Sequence, residues 1–159
     1  MKLFFSLGLI LLFTGANAQH KSVQALSAEL GKNGLIVSIL YDYQFSKAHF
    51  GIRAGAGSNF AKYLRAYTAT TGGYKLFGKK NNFFELGIDI QYLNIDEVSD
   101  DQKGFVLVYP DFSTQTLFSS LNLGLRKYFK KSVFRAGLAP GFTKHGFLPG
   151  AYLSFGYKW

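Results

Sequence analysis

From residue 22 onward, apolar and polar residues alternate with a period of two, and helical spacing is hard to find. That period marks strands with two unlike faces. Eight segments carry it. In 22–30, Gln24, Leu26, Ala28 and Leu30 alternate with Val23, Ala25, Ser27 and Glu29. After the turn "GKNG", segment 35–45 sets Leu35, Val37, Ile39, Tyr41, Tyr43 and Phe45 against Ser38, Asp42 and Gln44. In 49–58, Phe50, Ile52, Ala54 and Ala56 oppose Gly51, Arg53, Gly55 and Gly57. Segment 64–77 is less regular, with Tyr74 and Leu76 read as its apolar face against Arg65, Tyr67 and Lys75. Beyond "GKKNN", Phe84, Leu86, Ile88, Ile90 and Tyr92 oppose Phe83, Glu85, Gly87, Asp89 and Gln91. A long acidic connection over 95–114 follows. Segment 115–129 then sets Leu117, Leu121, Leu123, Leu125 and Phe129 against Asn122, Gly124, Arg126 and Tyr128. Phe134, Ala136 and Leu138 of 133–143 oppose Arg135, Gly137 and Ala139. The closing stretch "AYLSFGYKW" puts Leu153, Phe155, Tyr157 and Trp159 on one face.

A soluble sheet buries its apolar face, whereas a membrane barrel turns that face to lipid. Two features of the polar face decide between them. It is rich in glycine, which weakens an exposed strand and suits crowded, curved packing. It also collects the strand acids Glu29, Asp42, Glu85 and Asp89, together with Arg53, Arg65, Lys75, Arg126, Arg135 and Lys158. No acid falls on the apolar face, and Lys127 is its one cation, at a strand end from which it can snorkel. A charge facing lipid at mid-membrane costs about 2–4 kcal/mol for Arg or Lys, so strict sorting is expected there. The polar face is therefore read as a lumen. The fold class is all-β, an eight-stranded antiparallel up-and-down transmembrane β-barrel. Segments near ten residues suffice to cross a bilayer when tilted. An even count puts both chain ends on one side, where "SKA", "GKKNN" and "KKS" form short basic turns.

Such a lumen has room for side chains only, and charges inside it need partners. The expectation is a structural charge network of Glu29, Asp42, Arg53, Glu85, Asp89, Arg126 and Arg135. Within it, Glu85 and Asp89 are expected to pair with Arg53, Arg126 or Arg135.

Residues 1–18, "MKLFFSLGLILLFTGANA", have an early Lys, an apolar run and an A-x-A site, as a cleaved export signal does. The domain proper is then 19–159. The absence of Cys excludes disulfides and lipid attachment at cysteine. With 18 Lys and Arg against 9 Asp and Glu the chain is basic. An export signal and dispersed cations speak against nucleic acid.

The chemistry-bearing residues are few. "GAG" at 55–57 is not followed by Lys-Ser/Thr and opens no helix, so it is no nucleotide loop. Histidine and carboxylate spacing carries no metal signature, and no cofactor is expected. His20, His49 and His145 are the catalytic suspects. A lipid-modifying enzyme would need His, Ser and a carboxylate gathered near the outer-leaflet end, and no such trio is legible. The acidic stretch 95–114 offers a possible contact for a surface partner, and the basic turns for anionic headgroups.

"AELGKNGLIVSILYDYQF", "HFGIRAGAG", "NNFFELGIDIQY", "NLGLRKYF", "VFRAGLAPGF" and "AYLSFGYKW" resemble the small outer-membrane β-barrel proteins of Gram-negative bacteria, of the OmpA/OmpX type. The resemblance covers the whole chain after the signal and rests on order and spacing. It implies residence in the cell outer membrane, contact with outer-membrane lipid and no catalytic residues. It also implies that Phe155, Tyr157 and Trp159 form the strand signal read by the barrel assembly machinery, with Trp in place of the commoner terminal Phe. The expected role is structural or in surface interaction, as a monomer. The alternatives are a soluble periplasmic barrel holding an apolar ligand, which needs the faces reversed, and an outer-membrane lipid-modifying enzyme.

Overall fold

Strong period-two patterning leaves little but extended chain. The computed structural model describes residues 22–32, 36–45, 49–60, 64–97, 115–143 and 146–159, and no helix occurs among them. The strands are β1 (Val23–Gly31), β2 (Ile36–Phe45), β3 (Phe50–Ser58), β4 (Leu64–Lys79), β5 (Asn82–Glu97), β6 (Gln115–Tyr128) and β7 (Ser132–Leu138), then the short β8 (Gly141–Thr143) and β9 (Gly146–Leu148), and finally β10 (Ala151–Lys158). Neighbours in sequence pair antiparallel from β1 to β7. β10 returns between β7 and β1, so the sheet closes on itself. At the closing seam, Trp159 N–H donates to the Gln24 carbonyl (3.0 Å) and Gln24 N–H to the Trp159 carbonyl (3.3 Å). Residues 22–30 thus contribute a full member of the wall.

Ten strands make an eight-stranded barrel because two prolines cut two of them. The register joining Leu138 to Ala151 continues unbroken in the pairing of Gly141 with Leu148. Pro140 and Pro149 therefore stand opposite each other. Neither has an N–H to give the ladder. The bonds that bridge the gap use neighbouring amides: Leu121 N–H reaches the Pro140 carbonyl (3.0 Å) and Ala139 N–H the Gly150 carbonyl (2.7 Å). β7 with β8, and β9 with β10, are each one strand of the wall. The closing strand consequently begins at Gly146, earlier than the expected 151.

The faces are turned inside out relative to a soluble protein. Ile88, Leu117 and Phe155 point outward at 61%, 69% and 61% exposure, while Arg53, Glu85, Arg126 and Arg135 are buried at 2% or less. β4 corrects the sequence reading. Tyr74 and Leu76 point inward, and Tyr67 and Lys75 point outward. The cause lies in Gly72 and Gly73, which carry no side chain to mark a face, so the sequence pattern there follows the larger apolar residues. Lys75 thus joins Lys127 as an outward cation. The Arg65 side chain lies outside the described residues.

The β4–β5 hairpin turns through Lys80 and Asn81, with Lys80 at φ 60°. It lies at the same barrel end as the seam and the β6–β7 turn, where Tyr128 N–H donates to the Asn81 carbonyl (2.8 Å). β5 runs on to Glu97, so residues 95–97 of the expected loop belong to a strand. Residues 1–18, expected to be an export signal, His20, residues 98–114 and His145 lie outside the described residues.

Candidate functional site

Alternation aims every second side chain at the barrel axis, and the register sets their levels. Asp42 pairs with Arg53, Gly72 with Asp89, and Arg126 with Arg135. Arginines of three strands, β3, β6 and β7, converge on Glu85 of β5. Its Oε1 accepts from Arg53 Nη1 (2.5 Å) and Arg135 Nη2 (2.9 Å). Its Oε2 accepts from Arg126 Nε (2.6 Å) and Arg135 Nε (3.2 Å). Each arginine then reaches a second acid. Arg53 Nε donates to Asp89 Oδ1 (2.7 Å), Arg126 Nη2 to Asp42 Oδ1 (3.0 Å), and Arg135 Nη1 to Glu29 Oε2 (3.2 Å).

All seven charged residues singled out in the sequence meet in this one cluster. An eighth member was missed. Lys32 lies beyond the end of β1, yet its Nζ reaches Asp89 (2.6 Å) and Glu29 (3.2 Å). Four cations then face four acids, and the described ion pairs form a neutral layer. Charges taken out of water at this depth are tolerable only when paired and further hydrogen-bonded. Tyrosines provide the supplement. The Tyr74 and Tyr128 hydroxyls accept from Arg126 Nη1 (3.0 and 3.2 Å), and Tyr128 donates to Gln44 (2.6 Å). The Arg126 guanidinium stands 4.1 Å from the Tyr74 ring centroid, and Arg135 is 5.1 Å from that of Tyr152. Both are cation–π distances.

Small residues make the space. A Cβ at Gly51 would strike the tip of the Tyr74 ring and lie 2.8 Å from the Tyr43 carbonyl oxygen. At Gly87 it would lie 2.8 Å from Arg53 Nη2, and at Gly124 it would strike the Tyr152 hydroxyl. Overpacking of this kind typically costs about 1–3 kcal/mol. Gly51→Val is accordingly expected to lower the unfolding temperature of the barrel, read as the temperature at which the folded band disappears on an unboiled gel. An unchanged temperature would mean that Tyr74 is not held where the structure has it.

Apolar side chains close both ends of the layer. Ala25, Tyr74, Leu76, Phe83, Tyr128 and Val133 pack together toward the seam end, and Ile36, Ala66, Leu93, Ile95 and Phe118 toward the other. The arrangement suits an ion-paired plug between two apolar layers.

Outside the wall, Phe155, Tyr157 and Trp159 all point outward. The Trp159 ring stacks on Tyr157 (6.1 Å between centroids) and tilts against Tyr41 (6.4 Å). With Phe45, Phe50, Phe77, Phe84 and Phe129 they give the seam end an aromatic fringe below a band of Leu, Ile, Val and Ala. Of the histidines only His49 is described; its ring packs on Phe83 (5.5 Å) at the seam end. Among the described residues no group of three or more His, Asp or Glu gathers to hold a metal ion.

No protein-family model and no curated protein matches the chain. Solved structures do. The chain is similar to the N-terminal β-barrel domain of OprF from Pseudomonas aeruginosa, with a TM-score of 0.67, 16% identity, and 88% of this chain and 98% of that one covered. It is similar to Neisserial surface protein A (TM-score 0.52, 14% identity, 86% and 94% covered). It is also similar to the Yersinia pestis outer membrane protein Ail in a phospholipid bilayer nanodisc (TM-score 0.52, 12% identity, 87% and 100% covered). At these identities the likeness is one of fold, and the fold is the small closed β-barrel.

Proposed function

We propose that the protein is an integral barrel of the outer membrane with a structural or surface-interaction role. The observation that carries this reading is the inverted wall, with large aliphatic side chains outside and arginine, glutamate and aspartate within. In water such a surface would be an extended apolar patch far beyond what monomeric soluble proteins expose. In lipid it is the expected one, with aromatic side chains at its edge. The soluble reading needs an apolar interior able to take a ligand, and the middle of the described interior is instead an ion-paired layer.

In this reading residues 1–18 direct export and are removed, leaving 19–159 in the membrane. The seam end faces the periplasm, and the connection through 98–114 lies on the cell surface, where it is available to a partner. The closing strand with Phe155, Tyr157 and Trp159 is what the assembly machinery reads. The finished barrel works as a monomer without catalysing a reaction. The plugged lumen adds that the protein does not conduct ions steadily.

Membrane fractionation tests the proposal. The protein should stay with carbonate-washed outer membranes, dissolve in detergent, and run at a different mobility before and after boiling. Release into carbonate without detergent would overturn it.

A further inference from the structure

The lumen ions balance, so the chain's excess positive charge must lie elsewhere. Much of it lies on one side of the seam end. Lys75, Lys79, Lys80, Lys127, Lys130 and Lys131 are all exposed. β5 and β6 are paired, which sets the two lysine-bearing turns side by side, held by the Tyr128–Asn81 bond. Among the described side chains every acid is in the lumen, so none stands beside these lysines.

Lys75 and Lys127 differ from the other four. Each leaves the outer wall of a strand and lies over an outward phenylalanine ring, and both ammonium groups lean the same way. Lys75 Nζ lies 5.7 Å from the Phe77 ring centroid and Lys127 Nζ 5.4 Å from that of Phe129. Each phenylalanine is the next outward residue toward the turns. Leu76 N–H donates to the His49 carbonyl (2.7 Å), which fixes this level close to the barrel's edge. Two lysines on strands either side of β5 thus rise along an apolar wall to the depth of lipid headgroups, as snorkelling side chains do. A soluble partner meets the turns first, whereas a lipid meets the wall.

We propose that the wall formed by β4, β5 and β6 at the seam end is a binding surface for anionic phospholipid headgroups. Lys75 and Lys127 contact the phosphates, Phe77, Phe84 and Phe129 contact the upper acyl chains, and the turn lysines add long-range attraction. The proposal rests on the outer-membrane reading and specifies which lipid that reading brings to this quadrant.

The test uses purified barrel refolded into vesicles of phosphatidylcholine with a minor fraction of phosphatidylglycerol, containing spin-labelled lipids of either headgroup. The wild type should bring the anionic label to its surface in preference to the zwitterionic one. Lys75→Gln with Lys127→Gln should lower that preference by about fivefold per lysine while leaving the heat-sensitive gel mobility intact. No preference in the wild type, or one unchanged in the double variant, would overturn the proposal. A preference lost only in Lys79→Gln/Lys80→Gln/Lys130→Gln/Lys131→Gln would move the interaction to the turns and equally overturn it. Failure to insert into vesicles would instead sink the outer-membrane reading, and this proposal with it.

Discussion

Glu85→Ala is expected to be the most damaging single change in the lumen. The carboxylate accepts from Arg53, Arg126 and Arg135 at once, and none of the four side chains sees solvent. Alanine would leave three guanidinium groups facing a methyl, with one uncancelled positive charge inside the wall. Removing one partner of a buried pair typically costs about 3–5 kcal/mol. The loss should sit within that range, because each arginine keeps one other acid: Asp89, Asp42 or Glu29. Trp159, the sole tryptophan, is a built-in reporter for urea unfolding in detergent or vesicles. Asp42→Asn provides the contrast. Asp42 takes one bond from Arg126, and its Oδ2 is 4.0 Å from Arg135 without a hydrogen bond. Its replacement should cost clearly less. Equal losses for the two variants would mean that the network has no centre at Glu85.

Much of this was legible in the sequence, and the exceptions have physical causes. Alternation identifies the lumen face correctly where large apolar residues recur on one face against charges on the other, as Phe84, Leu86, Ile88 and Ile90 do against Glu85 and Asp89. β4 failed because "TTGGYKLF" offers two glycines where the phase should be set. The aromatic Tyr74 then looked like a lipid-facing residue, although its ring lies against Arg126. The membership of the charge cluster could be read from polarity, but not its wiring. Which arginine meets which acid depends on a register accumulated around the whole barrel. Lys32 was missed because turn lysines are usually solvated. Its one local signal is Glu29, three residues earlier and paired with it at 3.2 Å, whereas Asp89 meets it only through the closed barrel.

Ile88→Arg should cost as much as a lumen defect even though it touches nothing inside. Ile88 lies on the outer face of β5 between Gly73 and Leu121, in the aliphatic band and away from the aromatic fringe of the seam end. At mid-membrane an arginine on the lipid face costs about 2–4 kcal/mol, falling to about 0–1 kcal/mol near the interfaces. Phe84→Arg, two turns of the same alternation nearer the hairpin, should therefore lose less once Ile88→Ala and Phe84→Ala are subtracted as references. On a wall facing water, both arginines would fall within about 0.5 kcal/mol of neutral. At 61% exposure, Ile88 would be among the more tolerant positions of such a protein. The depth dependence separates the two surroundings, because lumen packing is the same in both and only the solvent outside differs. Urea unfolding in vesicles measures it. Equal referenced costs at 84 and 88 would remove the membrane from this account.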